Sequence, residues 1–134
     1  MSGLVIKLGP KERLLVNGAV IENGSKRSRL SIQTPGANIL RLRDAIHPDE
    51  ANTPVSRVCY IAQLVLSGDA ERSEAEAQLL RGIDQLTQVL TDADSQEMLA
   101  NARDAVKREQ HYQALKFLRN LLPTEARLIR AALR

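Results

Sequence analysis

Two histidines and one cysteine are the residues with which this 134-residue chain would have to build a reaction. His47 stands beside Pro48, Asp49 and Glu50, a setting in which imidazole and carboxylate can hold a metal. No second histidine lies at ligand spacing, so a helix cap or a linker position is the expected role. His111, between Gln110 and Tyr112, falls in a helical stretch and is expected at a half-exposed rim. Cys59 sits in the apolar run VCYIAQLVL and is expected to be a small buried core residue. Gly24-Ser25-Lys26 lacks the spaced glycines of a phosphate-binding loop. These groups form neither a nucleophile–base pair nor a ligand set, so no enzyme, no metal and no cofactor is expected.

Cations offer a different chemistry. Residues 1–46 carry eight Lys/Arg against three Asp/Glu, residues 47–97 three against ten, and residues 98–134 again eight against three. A basic, acidic, basic order lets the ends meet a polyanion while the middle avoids one. Lys7, Arg41 and Arg43 are expected on outward positions of the first and last strands. Lys26, Arg27 and Arg29 follow an Asn-Gly pair and crowd one turn, with Lys11 and Arg13 near another. Basic residues on strands also guard sheet edges, but eight against three exceeds what that needs. Only Tyr60, Tyr112 and Phe117 are aromatic, 2% of the chain, which removes base stacking as a mode of binding. A nucleic-acid contact would therefore use Lys, Arg and backbone groups.

The elements that must position these residues follow from periodicity. Leu4–Leu8, Arg13–Val16, Ala19–Glu22, Arg29–Gln33 and Asn38–Arg43 alternate or run short between turn signals, among them Asn17-Gly18, Asn23-Gly24 and Thr34-Pro35-Gly36. They read as a small antiparallel five-stranded meander. Thr53-Pro54 is an N-cap followed by proline at the first helical position, and Val55, Val58, Cys59, Ala62, Val65 and Leu66 then recur at helical spacing. A second helix is expected over roughly 70–90 with Leu79, Ile83, Leu86 and Leu90 on one stripe. A third starts near Asp94 or Ser95 and runs to Leu122 with a kink near His111; Pro123 ends it, and a short last helix carries Leu128, Ile129 and Leu133. The fold class is α+β, with a basic antiparallel β module over 1–46 and a helical domain over 47–134. One cysteine and no long apolar run lead to the expectation of a cytoplasmic chain without signal peptide or membrane span.

The strings LLVNGAVIENGSKRSRLSI (14–32), AIHPDEANTPVSRVCYIAQLVL (45–66) and YQALKFLRNLLPTEARLI (112–129) resemble the FlbT family of bacterial flagellin-synthesis regulators. That resemblance implies a non-enzymatic factor that binds the 5′ untranslated leader of flagellin mRNA and represses its translation or promotes its decay, with activation as the opposite sign. It also leaves open a protein-interaction role, in which the helices hold flagellin or a FlaF-type partner. Residues 4–46 are similar, over a shorter span, to the carbon storage regulator (CsrA) family, an RNA-binding dimer in which the first and last strands of two chains meet. That likeness implies a homodimer and gives Arg43 the position of an RNA-contacting arginine, with Lys7 and Arg41 nearby. One extra residue before the last strand and the long helical extension depart from that family. The expected RNA-binding set is Lys7, Lys26, Arg27, Arg29, Arg41 and Arg43.

Overall fold

The computed structural model describes residues 4–133; residues 1–3 and 134, the outer ends of the two expected units, lie outside the described residues. Among the described residues five strands precede five α-helices. In β1 (Leu4–Leu8) alternation buries Ile6 and Leu8 and exposes Val5 and Lys7. β2 (Arg13–Val16) and β3 (Ala19–Glu22) form a hairpin on Asn17-Gly18, whose φ values of 48° and 86° are the two left-handed positions expected there. The second Asn-Gly pair is built differently. Neither residue has positive φ, and Asn23 instead ties the loop together: its amide donates to Gly9 O at 2.7 Å and Lys26 O at 3.0 Å, and its Oδ1 accepts from Ser28 at 2.7 Å.

The strands pair across the sequence rather than in meander order. β1 pairs with β4 (Ser28–Ile32), and β2 is flanked by β3 and by β5 (Ile39–Arg41), giving two small antiparallel sheets. β5 is shorter than expected, because Leu42–Asp44 turns into a 3₁₀ helix and takes Arg43 off the strand. Its neighbouring residues face opposite ways, and both faces are buried. Ile39 joins Ile6, Leu8 and Leu14 in a small β core, while Leu40 enters the helical core with Leu15 packed beside it. The two expected units thus share one packed joint.

Arg41 locks that joint. Its guanidinium donates to both Glu12 oxygens at 2.7 Å and to the Lys7 carbonyl at 2.7 Å, spanning from the three-stranded sheet to β1. Tyr112 of the helical half packs against both the β core and the helical core. Both partners are largely buried, with side-chain exposures of 13% and 9%. The hydrogen bond from Arg41 is the main reason the Glu12 carboxyl falls to about 2; burial opposes it, and Gly9 N–H supports it.

The helical half begins with caps. His47 caps a 3₁₀ turn at Pro48–Glu50, the capping role expected for it. Gln63 of α1 (Pro54–Ser67) grips Ile46 by both backbone groups, at 2.8 and 3.0 Å. Thr53 caps α1 in a capping box with Ser56, and Gly68, at φ 82°, closes it. α2 (Arg72–Val89) crosses α1 closely enough that a Cβ on Gly82 would stand 2.7 Å from Val58 Cγ2. α3 (Ala93–Lys107) does not kink into its successor but stops. Glu109, at φ 59°, turns the chain, and α4 (His111–Arg119) starts afresh. Pro123 lies in the first turn of α5 (Leu122–Ala132), the turn that tolerates proline, so the break falls just before it, at Asn120-Leu121. Cys59 is buried as expected, and burial pushes its thiol up to about 12. His111 is not at a rim: it is 3% exposed, with Nε2 3.0 Å from Glu76 Oε2. Burial lowers its pKa, and Glu76 acts against that shift.

The α1–α2 crossing and the Arg41–Glu12 pair each respond to a single substitution. Gly82→Ala normally gains about 1 kcal/mol in a helix interior, but here the stiff, β-branched Val58 blocks the methyl. The variant should lose about 1 kcal/mol in urea unfolding, and the same change in a Val58→Ala background should stabilise. Glu12→Gln should cost about 2 kcal/mol at pH 7 by stranding a largely buried guanidinium. The folded pKa of Glu12 lies below its ordinary value of 4.5, so the stabilisation is complete above that pH and drains away as pH falls towards 2. The gap between wild type and Glu12→Gln should accordingly narrow as unfolding is measured at successively lower pH.

Candidate nucleic-acid interface

Charge in the β module divides into a structural set and a free set. Its three carboxylates are all committed: Glu12 to Arg41, Glu22 to Arg13 at 3.0 Å, and Asp44 to Arg119 of α4 at 3.0 Å. Lys7, Lys11, Lys26, Arg27 and Arg29 are exposed, and none has an acidic partner among the described residues. Arg43 lies between the sets, with its side chain 61% exposed and its Nε 3.5 Å from Glu12 and 3.8 Å from Asp44.

The free cations are gathered by strand register. Lys7 and Arg29 are direct cross-strand partners in β1–β4, on the face opposite the pairs Leu4–Ile32 and Ile6–Leu30. Opposed residues in an antiparallel pair stand about 5 Å apart, and like charges there repel. Among the described residues no carboxylate relieves this pair, so an electrostatic cost is retained there that an anion would remove. The Asn23-organised loop brings Lys26 and Arg27 to the same end of the sheet. A bond of 2.9 Å from Lys11 N to Gly24 O holds the β1–β2 turn against it, with Lys11 in the left-handed region at φ 60°. The result is a cationic end made of β1, β4 and two turns.

Four of the six residues expected to bind RNA, Lys7, Lys26, Arg27 and Arg29, therefore fall in one patch. Arg41 departs from its expected outward orientation, because the Glu12 carboxylate and the Lys7 carbonyl draw its guanidinium inward. Lys11 belongs to the patch although strand patterning does not single it out; its position after Gly9-Pro10, in a turn that must bend back, is the available signal.

At the other end of the β1–β4 sheet lies a cleft of about 880 Å³, lined by Val5, Gln33, Thr34, Arg108 and Gln113 among others. Arg72, also on its wall, donates to Asn38 Oδ1 at 2.8 Å and so braces α2 against the start of β5. Among the described residues no cluster of His, Cys, Asp and Glu is placed to hold a metal ion, and no helix is long and apolar enough to cross a membrane.

Comparison with known proteins agrees with the resemblance carried by residues 14–32, 45–66 and 112–129. The family model described as "Flagellar protein FlbT" matches residues 4–129. A "Probable flagellum biosynthesis repressor protein FlbT 1" of Bradyrhizobium diazoefficiens is 32% identical, over 93% of this chain and 84% of its own. A "Probable flagellum biosynthesis repressor protein FlbT" of Chelativorans sp. is 31% identical, over 94% and 86%. Another of that description from Caulobacter sp. strain K31 is 29% identical, over 91% and 92%. No solved structure matches. From its first strand to its last helix, the chain belongs to the FlbT family.

Proposed function

We propose that the chain represses flagellum biosynthesis, as its relatives' names state of them, by binding the 5′ untranslated leader of flagellin mRNA through the cationic end of its β module. The observation that carries this reading is the unrelieved pairing of Lys7 with Arg29, with Lys11, Lys26 and Arg27 on the turns at the same end of the sheet and without acidic partners among the described residues. Phosphate contacts by these side chains supply affinity, with Arg43 a secondary contact and Arg41 a positioning residue. A single strand running along the outward face of β1 and β4 from this end reaches the cleft at Val5 and Gln33. Gln33, Thr34, Gln113 and Arg108 there offer hydrogen-bonding groups to unpaired bases. Occupation of the leader then blocks ribosome loading or leaves the message open to nucleases. No catalytic step is needed.

Fluorescence anisotropy on a labelled flagellin leader RNA tests this. Lys7→Ala/Arg29→Ala should weaken binding roughly tenfold or more at low salt. It should also lower the slope of log affinity against log salt by roughly 1.4, the loss of two single-strand phosphate contacts. Lys107→Ala/Lys116→Ala, on exposed helical positions, should leave both quantities close to wild type. Equal binding by Lys7→Ala/Arg29→Ala and wild type would remove this surface from the mechanism.

A further inference from the structure

The helical half has an unfinished layer. α5 is held to α1 chiefly at one end, where the buried Glu125 carboxylate accepts from Val55 N at 2.7 Å and from the Thr53 hydroxyl at 2.5 Å. Among the described residues of that helix, Glu125 alone is buried. One turn further on, Leu128 and Ile129 remain 50% and 39% exposed on a face that should be packed. They look onto a groove of about 650 Å³, together with Val58 and Ile61 of α1 and Leu86 and Val89 of α2. Val89 is 70% exposed.

The groove is long rather than round. Along α2 its lining recurs in steps of three and four residues from Gln78 to Val89, about 16 Å of helix at ~1.5 Å per residue. An apolar trough of that length between helices suits an amphipathic helix, read by anchors at i, i+3, i+4 and i+7.

Charge decides which helix. Arg57 and Arg81 line the groove, are exposed, and make no ion pair among the described residues. Among the described residues the single carboxylate in the lining, Glu125, is spent on the α1 N-terminus. A second copy inserting its own α5 would bring Arg127 and Arg130 towards Arg57 and Arg81, which disfavours self-docking. We infer that the groove between α1, α2 and α5 docks an amphipathic helix of another protein, whose apolar stripe is flanked by Asp or Glu that reach Arg57 and Arg81. This surface shares no residue with the cationic end of the β module and stands independently of RNA binding.

Two synthetic helical peptides of about 18 residues test it, long enough to hold a helix. They carry the same leucine stripe, one flanked by Glu and one by Lys, and are titrated against the full chain by fluorescence anisotropy. The Glu-flanked peptide should bind, and the Lys-flanked one should bind at least roughly tenfold more weakly. Arg57→Glu/Arg81→Glu should reverse that order, which a merely unfolded variant cannot do. Leu128→Gln/Ile129→Gln should abolish binding of the Glu-flanked peptide while keeping the wild-type circular dichroism spectrum and a cooperative urea unfolding transition. Failure of both peptides to bind, or equal binding that the charge reversal leaves unchanged, would overturn the assignment. So would concentration-dependent dimerisation lost in Leu128→Gln/Ile129→Gln, which would give the groove to a second copy.

Discussion

The interaction on which the rest depends is the grip of Arg41 on Glu12 and the Lys7 carbonyl. Sheets of two and three strands are marginal alone, and neither of these closes a core without the other. One guanidinium, with five donors in a fixed plane, reaches a carboxylate in the β1–β2 turn and a carbonyl on β1 at once. A lysine in its place would offer neither the fork nor the span. Desolvating this pair has a cost that a hydrophobic replacement would avoid, so its value lies in fixing one arrangement of the two sheets. The carbonyl of Lys7 is thus tied to Arg41, while alternation along β1 puts its side chain on the exposed face opposite Arg29.

Allocation of charge then follows. Each acid of the β module is matched to an arginine with a structural role, Arg13 along the hairpin, Arg41 at the joint, and Arg119 from α4 to the 3₁₀ turn. The cations left over are those at the loop-bearing end of β1 and β4. The acidic middle of the chain falls mainly on α2 and its flanking loops, away from these residues in sequence and on other elements. A polyanion thus meets attraction at the cationic end and repulsion along α2 and its flanking loops, and orientation comes from that asymmetry as much as from any single contact.

Much of this was legible from residue order. Alternation in LVIKL and RLSIQ placed two strands on the correct faces, Asn17-Gly18 placed the hairpin, and Thr53-Pro54 placed the start of α1. These are local signals, written within a few residues. What escaped depends on partners distant in the chain. The pairing of Lys7 with Arg29 requires β1 to skip β2 and β3 to reach β4, and no periodicity in either strand encodes that. Arg41 has the alternation of an outward residue, but Glu12, 29 residues earlier, draws it inward. His111 lies in a polar context suited to a rim, yet α4 restarts there and turns it beneath Glu76. The Leu128 and Ile129 stripe matches ordinary core; only the packing shows that its counterpart is absent.

That uncovered stripe is explained by how α5 is fastened. A helix normally docks by burying its apolar face, and the distance to its neighbours is then set by side-chain volume. Here the anchor is polar and terminal: the Glu125 carboxylate satisfies the α1 N-terminus, where orphan N–H groups and the helix dipole both favour an anion. An anchor of this kind fixes one end of α5 without demanding collapse along the rest. Gly82 lets α2 sit hard against Val58, drawing α1 and α2 together and leaving their outer surfaces as one continuous wall. The same close crossing that completes the core on one side therefore creates the groove on the other. Arg57 and Arg81, without an ion pair among the described residues, give that apolar surface a preference in charge.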